Sequence, residues 1–447
     1  GGIACRMEEG KIMGPETVPA VSKNWLKKFA VIWGGQAFSI LGSRLVSFAL
    51  VWWMTRETGS AIVLATSSTV TYLPQIFLGP FVGALVDRWN RRLVIIIADA
   101  AVALATLALA FLFWTGLIEL WHIYVLLFLR SLGGTFHWPA MQSSMSLLVP
   151  DKHLARVAGF NQILDGGVNV LGPALGAVLM EAMPIQGVLA IDVITAVIAI
   201  TPLLFIAIPQ PVHQSAVERI TPRVVLKDVK EGFRYVAGWR GLLIILTFAM
   251  ILNFLFAPTG TYLPLLITNY FKGGVWHLGL LQSLAGAGMI TGGVLLSVLG
   301  GFKRKVVNIL VGMMAMGGTA VMIGVTPANL FILAAVSFGL EGIANTFMNG
   351  GAFSLLQSLV KPDMQGRVFG LIGSATSICS PLGLLVSAPI VQKFGIQPWF
   401  VFCGAASILM GLVSLMIPAL IHIERIDADR KKPLSDRPEL AAVQAGE

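Results

Sequence analysis

Charge is scarce in this chain. Only 12% of its 447 residues are Asp, Glu, Lys or Arg, against about 25% in a soluble domain. Cysteine is scarcer still. Cys5, Cys379 and Cys403 stand far apart, two of them in apolar runs, so there is neither a disulfide framework nor a metal-ligand spacing. Small apolar filler is the expected role of the latter two. Catalytic triads, phosphate loops and metal clusters are also missing. The glycine-rich runs lie inside apolar segments that a nucleotide cannot reach, which excludes ATP hydrolysis. No enzymatic activity and no cofactor is expected. A cleavable leader is lacking too, because the first apolar run is too long and no small-residue cleavage site follows it. The opening GGIACR does not start with Met, and Met7 or Met13 is the expected start.

What is present is apolar length. Hydrophobic residues make up 56% of the chain, and many uncharged windows reach the roughly 20 residues needed to cross a bilayer core. Twelve segments stand out: 29–54, 61–86, 93–115, 121–148, 157–181, 187–208, 241–268, 277–301, 306–325, 330–359, 368–392 and 398–421. They are expected to be helices, since lipid offers an unpaired backbone group no partner and barrel strands would be shorter and alternating. The fold class expected is an all-α membrane protein of twelve transmembrane helices.

Lys and Arg assign the sides. With the N-terminus inside, 26 of the 31 fall in inside segments and only Arg56, Lys272 and Lys393 fall outside, leaving Arg44 and Arg130 within spans. That asymmetry places both termini in the cytoplasm. The net charge of +9 then reports orientation and contact with anionic lipid, not a nucleic-acid partner. The expected units are a disordered arm, 1–24, a six-helix bundle, 25–208, a linker, 209–240, a second bundle, 241–425, and a disordered tail, 426–447. In the linker Val225, Val229, Phe233 and Val236 recur at helical spacing, which predicts an amphipathic helix in the interface.

The two bundles repeat. A shift of 211 positions lays TFHWPAMQSSMSLLVPDKHLARVAGF over TFMNGGAFSLLQSLVKPDMQGRVFGL, and Thr135, Phe136, Ser143, Leu148, Val149, Arg156, Val157 and Gly159 meet identical residues. Six spans per half give both halves one topology, so the repeat is parallel and its axis runs along the membrane normal, as in transporters with a midplane site between rocking halves.

GALVDRWNRR, between spans two and three, resembles the Gly-x-Leu-x-Asp-Arg-x-x-Arg-Arg signature of the major facilitator superfamily, at Gly83, Leu85, Asp87, Arg88, Arg91 and Arg92. LLFLRSLGG resembles an element of its proton-driven drug exporters through Leu126, Arg130 and Gly134, and GGVNVLGPALGA is similar to their span-five glycine element at Gly172, Pro173 and Gly176. WGGQAFSILGS, VWWMTRETGSA and MQGRVFG resemble the macrolide-efflux branch. The resemblance implies a monomeric secondary transporter in the cell membrane that exports amphiphilic, macrolide-like compounds by proton antiport. Rival readings are a siderophore, lipid or metabolite as cargo, uptake in place of export, and a sensor or scaffold that transports nothing.

Candidate residues follow. Gly83, Asp87, Arg88, Arg91 and Arg92 form a conformational latch, with Arg367 at the start of span eleven as partner. Arg130, with Asp165 and Glu341, is the expected proton-coupling set, because intramembrane ionisable groups are costly. Arg130 and Glu341 are equivalents under the 211 shift; Asp99 and Asp192 rank below them. Asn161, Asp165 and Asn169 form one polar stripe and Glu341, Asn345 and Asn349 another. Spans one, four, seven and ten line the cavity in proteins of this family, which implies substrate contacts at Gln36, Arg44, His137, Trp138, Asn253, Phe254, Asn345 and Asn349, with Asn161 added from span five. Gly172, Pro173 and Gly176 are expected to meet Gly288 and Gly292 as a pivot between the halves.

Overall fold

The computed structural model describes residues 25–206, 208, 230–231, 233–299, 301–302, 304–360, 362–421 and 423–424. Twelve long helices run in order: α1 (Trp25–Thr58), α2 (Ala61–Arg88), α3 (Arg91–Thr115), α4 (Leu120–Leu148), α5 (Asp151–Ala182), α6 (Ile185–Phe205), α7 (Arg240–Thr261), α8 (Val275–Leu299), α9 (Lys305–Val325), α10 (Phe331–Leu359), α11 (Pro362–Phe394) and α12 (Gln397–Ser414). No strand occurs among the described residues. Eleven of these helices are long and apolar enough to cross a membrane. The twelfth, α4, has 29 residues but carries Arg130, His122 and His137. The chain is a multi-pass membrane protein. The arm, the tail and linker residues 209–229 lie outside the described residues, as does Cys5.

Local chemistry sets the helix ends. Ser60 caps α2 by accepting from the Val63 amide, and Asn90 caps α3 by accepting from Leu93. Gly116 ends α3 in the left-handed conformation at φ 71°, the residue type that position favours. Hydropathy places several ends short. α5 starts at Asp151 and not at 157, since a helix continues into its polar first turn. Spans seven and twelve break early. Pro258 and Pro264 interrupt the hydrogen-bond ladder after α7, which gives way to a turn at Leu263–Leu265 and a π-turn at Leu266–Tyr270. Pro418 opens a separate turn after α12, Pro418–Ile421.

Pro258 leaves the Phe254 carbonyl without its helical donor, and Gly383 of α11 packs directly on that carbonyl. One residue along, Trp399 Nε1 and Cys403 Sγ of α12 both donate to the Leu255 carbonyl at 3.0 Å. Cys403 is therefore a bonded part of the α7 bend and more than filler.

In the first half α1 packs on α5 and α6, α3 on α4 and α6, and α2 on α4. Adding six to every label gives the contacts of the second half. Between halves α5 packs on α8 and α2 on α11, and the same exchange converts one of these contacts into the other. That self-consistency is the signature of a twofold relation between two six-helix bundles.

The face where α1 begins and α2 ends is called the basic face here, and the opposite one the distal face. At the distal end residues of both halves, among them Phe48, Leu64, Leu189, Tyr262, Leu278 and Leu384, form one shared core. At the basic end there are two separate cores, one around Phe29, Val82 and Ile95, the other around Leu242, Met313 and Leu355. Among the described residues no shared core closes the basic end. In the linker, Val236 joins the second-half core while Phe233 is exposed.

The expected pivot is corrected by this packing. Gly172 and Gly176 face Arg44 and Phe48 of α1, and Gly288 and Gly292 face α10. All four contacts lie within a half. The inter-half approach uses other glycines of α8. A Cβ at Gly279 would stand 2.9 Å from the Pro173 carbonyl oxygen, and one at Gly286 2.9 Å from that of Asn169. Helix α8 has small residues on two faces, and spacing along the sequence does not say which face meets which neighbour. Gly288 lies directly against the Gly339 backbone. Gly288→Leu is thus expected to destabilise by at least the roughly 1–3 kcal/mol of an overpacked core, read as a lower unfolding temperature in detergent, whereas Gly293→Ala, with open space around it, should leave that temperature unchanged.

Candidate functional site

Between the halves lies a cavity of about 720 Å³, within the roughly 300–1,000 Å³ typical of ligand sites. Helices α1, α2 and α5 supply one wall and α7, α8 and α10 the other. The shared distal core seals it on one side. Its lining mixes Phe48, Phe256, Phe338 and Met289 with Tyr72, Asn169, Gln282 and Asn345. Two charged groups line it, Arg44 and Glu341. Arg44 is exposed and makes no ion pair among the described residues. Glu341 Oε2 is shut from water and has no hydrogen-bond donor. A buried acceptor left unmet costs about 1–3 kcal/mol, so the Glu341 carboxyl gains a donor only once its surroundings rearrange or it takes a proton.

A smaller pocket of about 20 Å³, room for one water-sized molecule, lies within the first half. Gln36, His137, Trp138, Asn161 and Asp165 line it, and Asn161 Oδ1 accepts from Trp33 Nε1 at 2.8 Å. The predicted substrate contacts thus divide. Arg44 and Asn345 line the large cavity; Gln36, His137, Trp138 and Asn161 line the small pocket. Asn253, Phe254 and Asn349 line neither. The Asn253 amide donates to the Ala249 carbonyl of its own helix, and Asn349 donates to that of Asn345. The expectation that α4 lines the main cavity is also corrected. Arg130 turns to α3 and α6, His137 to α1 and α3, and Ser131 to α2, and α2, α5 and α8 take the place of α4. Tyr72 and Gln282 are functional-site residues that the charge-based reading missed, because neither carries a charge.

The coupling set is regrouped as well. Arg130 meets neither Asp165 nor Glu341. Its guanidinium binds Asp192 Oδ2 at 2.7 Å, with both side chains buried, and also the Thr106 hydroxyl. Thr106 and Ser43 donate to the two Asp192 oxygens at 2.8 and 3.0 Å. Beside this pair Gln36 Nε2 donates to Asp99 Oδ2 at 2.9 Å, and His137 Nε2 lies 3.2 Å from Asp99 Oδ1. The two acids ranked lower are those held in a network.

Of the latch, the surroundings of Gly83 and the side chains of Asp87, Arg88 and Arg367 lie outside the described residues. Arg91 donates to the Ser143 carbonyl of α4 at 2.7 Å, and Arg92 to the Leu203 and Leu204 carbonyls at the end of α6. These bonds fasten helices of one half, where cations at a helix C-terminus are favoured.

Hydrogen bonds between the halves occur on α5–α8, where Ser283 donates to the Val170 carbonyl at 2.7 Å, and at the distal rim, where Gln392 Oε1 accepts from the Ala61 amide at 2.8 Å. Gln392 ties the first turn of α2 to α11. Removing one such bond costs about 0.5–1.5 kcal/mol. Gln392→Ala is accordingly expected to raise distal opening about 2- to 10-fold, measured as faster thiol labelling from the distal side at Thr261→Cys in the cavity lining.

The Major Facilitator Superfamily model matches residues 32–384 and 278–443. The chain belongs to that superfamily. Macrolide efflux protein A of Streptococcus pyogenes is 32% identical over 404 residues, spanning 90% of this chain and 98% of that protein. Multidrug efflux pump Tap of Mycobacterium bovis is 25% identical over 427 residues, covering 89% and 97%. Among solved structures, the nucleoside transporter NupG superposes with a TM-score of 0.66 at 14% identity, over 88% of this chain and 98% of that one. A bacterial homologue of the human lysosomal transporter Spinster gives 0.64 at 15%, over 90% and 95%. These structures share the fold. In this chain the cavity lies between the two halves of that fold.

Proposed function

We propose that this transporter exports amphiphilic, macrolide-like drugs from the cytoplasm by proton antiport with alternating access. The observation that carries the reading is the cavity, built by both halves, sealed distally, and holding an unmet carboxylate oxygen and a free guanidinium amid aromatic and aliphatic side chains. Such a site suits a large apolar molecule with a basic amine and several carbonyl or hydroxyl groups. The similarity to Macrolide efflux protein A along 90% of the chain supports that class. The basic face is the cytoplasmic side, with both termini there, as the Lys and Arg asymmetry argues. One chain supplies both walls, so a monomer suffices, and a proton is the coupling ion with no other cofactor.

Glu341 takes a proton or the drug's ammonium in turn, and Asp165, on the wall of the small pocket, is a second carrier. One proton moving down 100 mV supplies about 2.3 kcal/mol, enough for a drug gradient of nearly fiftyfold. The test is purified protein in liposomes with an imposed proton gradient and a panel of macrolides, other cationic amphiphiles, neutral amphiphiles and anions. Export predicts drug-dependent proton flux for the amine-bearing amphiphiles. Flux with none of the panel would sink the reading, and accumulation with the proton in place of against it would reverse the direction.

A further inference from the structure

Two carboxylates, one guanidinium and one imidazole are packed together inside the first half, away from the transport cavity. Asp192 holds Arg130, and Asp99 holds His137. Asp99, Asp192 and Arg130 are buried, with Asp99 6% and Asp192 1% exposed, and His137 is half-buried. The electrostatics of such a group follow from its sum. With both acids ionised, Arg130 charged and His137 neutral, one negative charge is left over. A single added proton brings the sum to zero. An uncompensated buried charge is strongly disfavoured, so the group has a physical reason to bind one proton.

The geometry says where that proton goes. His137 Nε2 lies 2.9 Å from Gln36 Oε1 and 3.2 Å from Asp99 Oδ1. Both are acceptors, because the Gln36 amide nitrogen is turned to Asp99 Oδ2 at 2.9 Å. Nε2 therefore carries a hydrogen in the neutral tautomer already. The other ring nitrogen, Nδ1, makes no hydrogen bond among the described residues, and His137 lines the small pocket. We propose that His137, balanced by Asp99 and oriented by Gln36, is an exchangeable-proton site of this transporter, with the added proton on Nδ1.

Charged neighbours stand on the packed helices. Asp165 of α5 shares the small pocket with His137 and is balanced by Arg44 of α1, which faces the large cavity; Asp192 of α6 acts on Asp99 and holds Arg130 of α4; Arg91 and Arg92 lie at the start of α3, and α2 brings no described charge. Arg130 is already matched to Asp192, which leaves His137 as the group whose protonation neutralises Asp99. The site's part in transport rests on the proton-driven reading above, whereas its existence does not.

The experiment accordingly starts without drug. Proton uptake per molecule is counted with a pH dye in weakly buffered detergent solution between about pH 8 and about pH 5, the range in which histidine switching is sought. Asp99→Asn and His137→Gln should each take up one proton fewer than the parent, the first because the sum is then zero with His137 neutral. Each keeps a side chain of similar size and hydrogen-bonding capacity, and unfolding temperature and monodispersity verify the fold. In liposomes with erythromycin, both variants should lose gradient-driven accumulation while still exchanging drug across the membrane. Uptake equal to the parent in both folded variants overturns the site. A lost proton with accumulation intact overturns its part in coupling. Parent protein that takes up the extra proton but moves no drug would leave the site standing and remove the export reading.

Discussion

Glu341→Gln is expected to weaken binding of an amine-bearing macrolide about 10- to 100-fold and to abolish the drug-dependent proton exchange carried by this residue. A hydrogen bond to a charged group contributes about 1.5–3 kcal/mol, and in the cavity Oε2 of Glu341 has no other donor to fall back on. Glutamine keeps the shape and one acceptor but cannot balance an ammonium or release a proton. A neutral amphiphile of equal bulk should bind the variant within about twofold of the parent, because its contacts are with Phe256, Phe338 and Met289 on the same walls. Binding is read by equilibrium dialysis and exchange by a pH dye in liposomes. Equal affinity for amine and neutral compounds in both proteins would remove Glu341 from recognition. Unchanged proton exchange in the variant would remove it from coupling.

The cavity was legible in part because charge is so rare. Each ionisable residue inside a span stands out, and of Arg44, Arg130, Asp165 and Glu341 the first and last line it. Their partners were not legible. Arg130 and Asp192 are 62 positions apart and belong to helices whose mutual rotation depends on packing along α3. The 211-residue repeat correctly paired α4 with α10 in topology, yet equivalent positions point to different surroundings. Arg130 is buried against α3 and α6, while Glu341 opens on the cavity. The glycine pattern failed for a related reason. In α8, Gly279 and Gly286 share a face by their spacing of seven, whereas Gly288 and Gly292 turn toward α10. Composition marks a helix as able to approach closely, but only the assembled neighbours decide which contact that serves. The twelve spans and the twofold relation needed no such information, since hydropathy and loop charge carry them directly.

Asp192→Ala should be the most disruptive single change in the first half. Arg130 would then stand buried beside Thr106 with no carboxylate, and removing one partner of a buried pair costs about 3–5 kcal/mol. Ser43 would also lose its acceptor, while Thr106 keeps the Val102 carbonyl. The expected result is a much lower unfolding temperature and little drug transport. Loss of transport alone would not separate a structural pair from a functional one, so the double variant Arg130→Met with Asp192→Leu is needed. Replacing both members of a buried pair by apolar groups of similar volume is often neutral or stabilising, which predicts that the double variant regains most of the lost stability. If transport returns with it, the pair is scaffolding. If the protein is stable again but gradient-driven accumulation stays absent, the charges themselves serve the cycle. That is the outcome expected here, because with Arg130 and Asp192 both removed the pair Asp99 and His137 still sums to zero only when the histidine is protonated, and nothing then links that protonation to the packing of α1, α4 and α6.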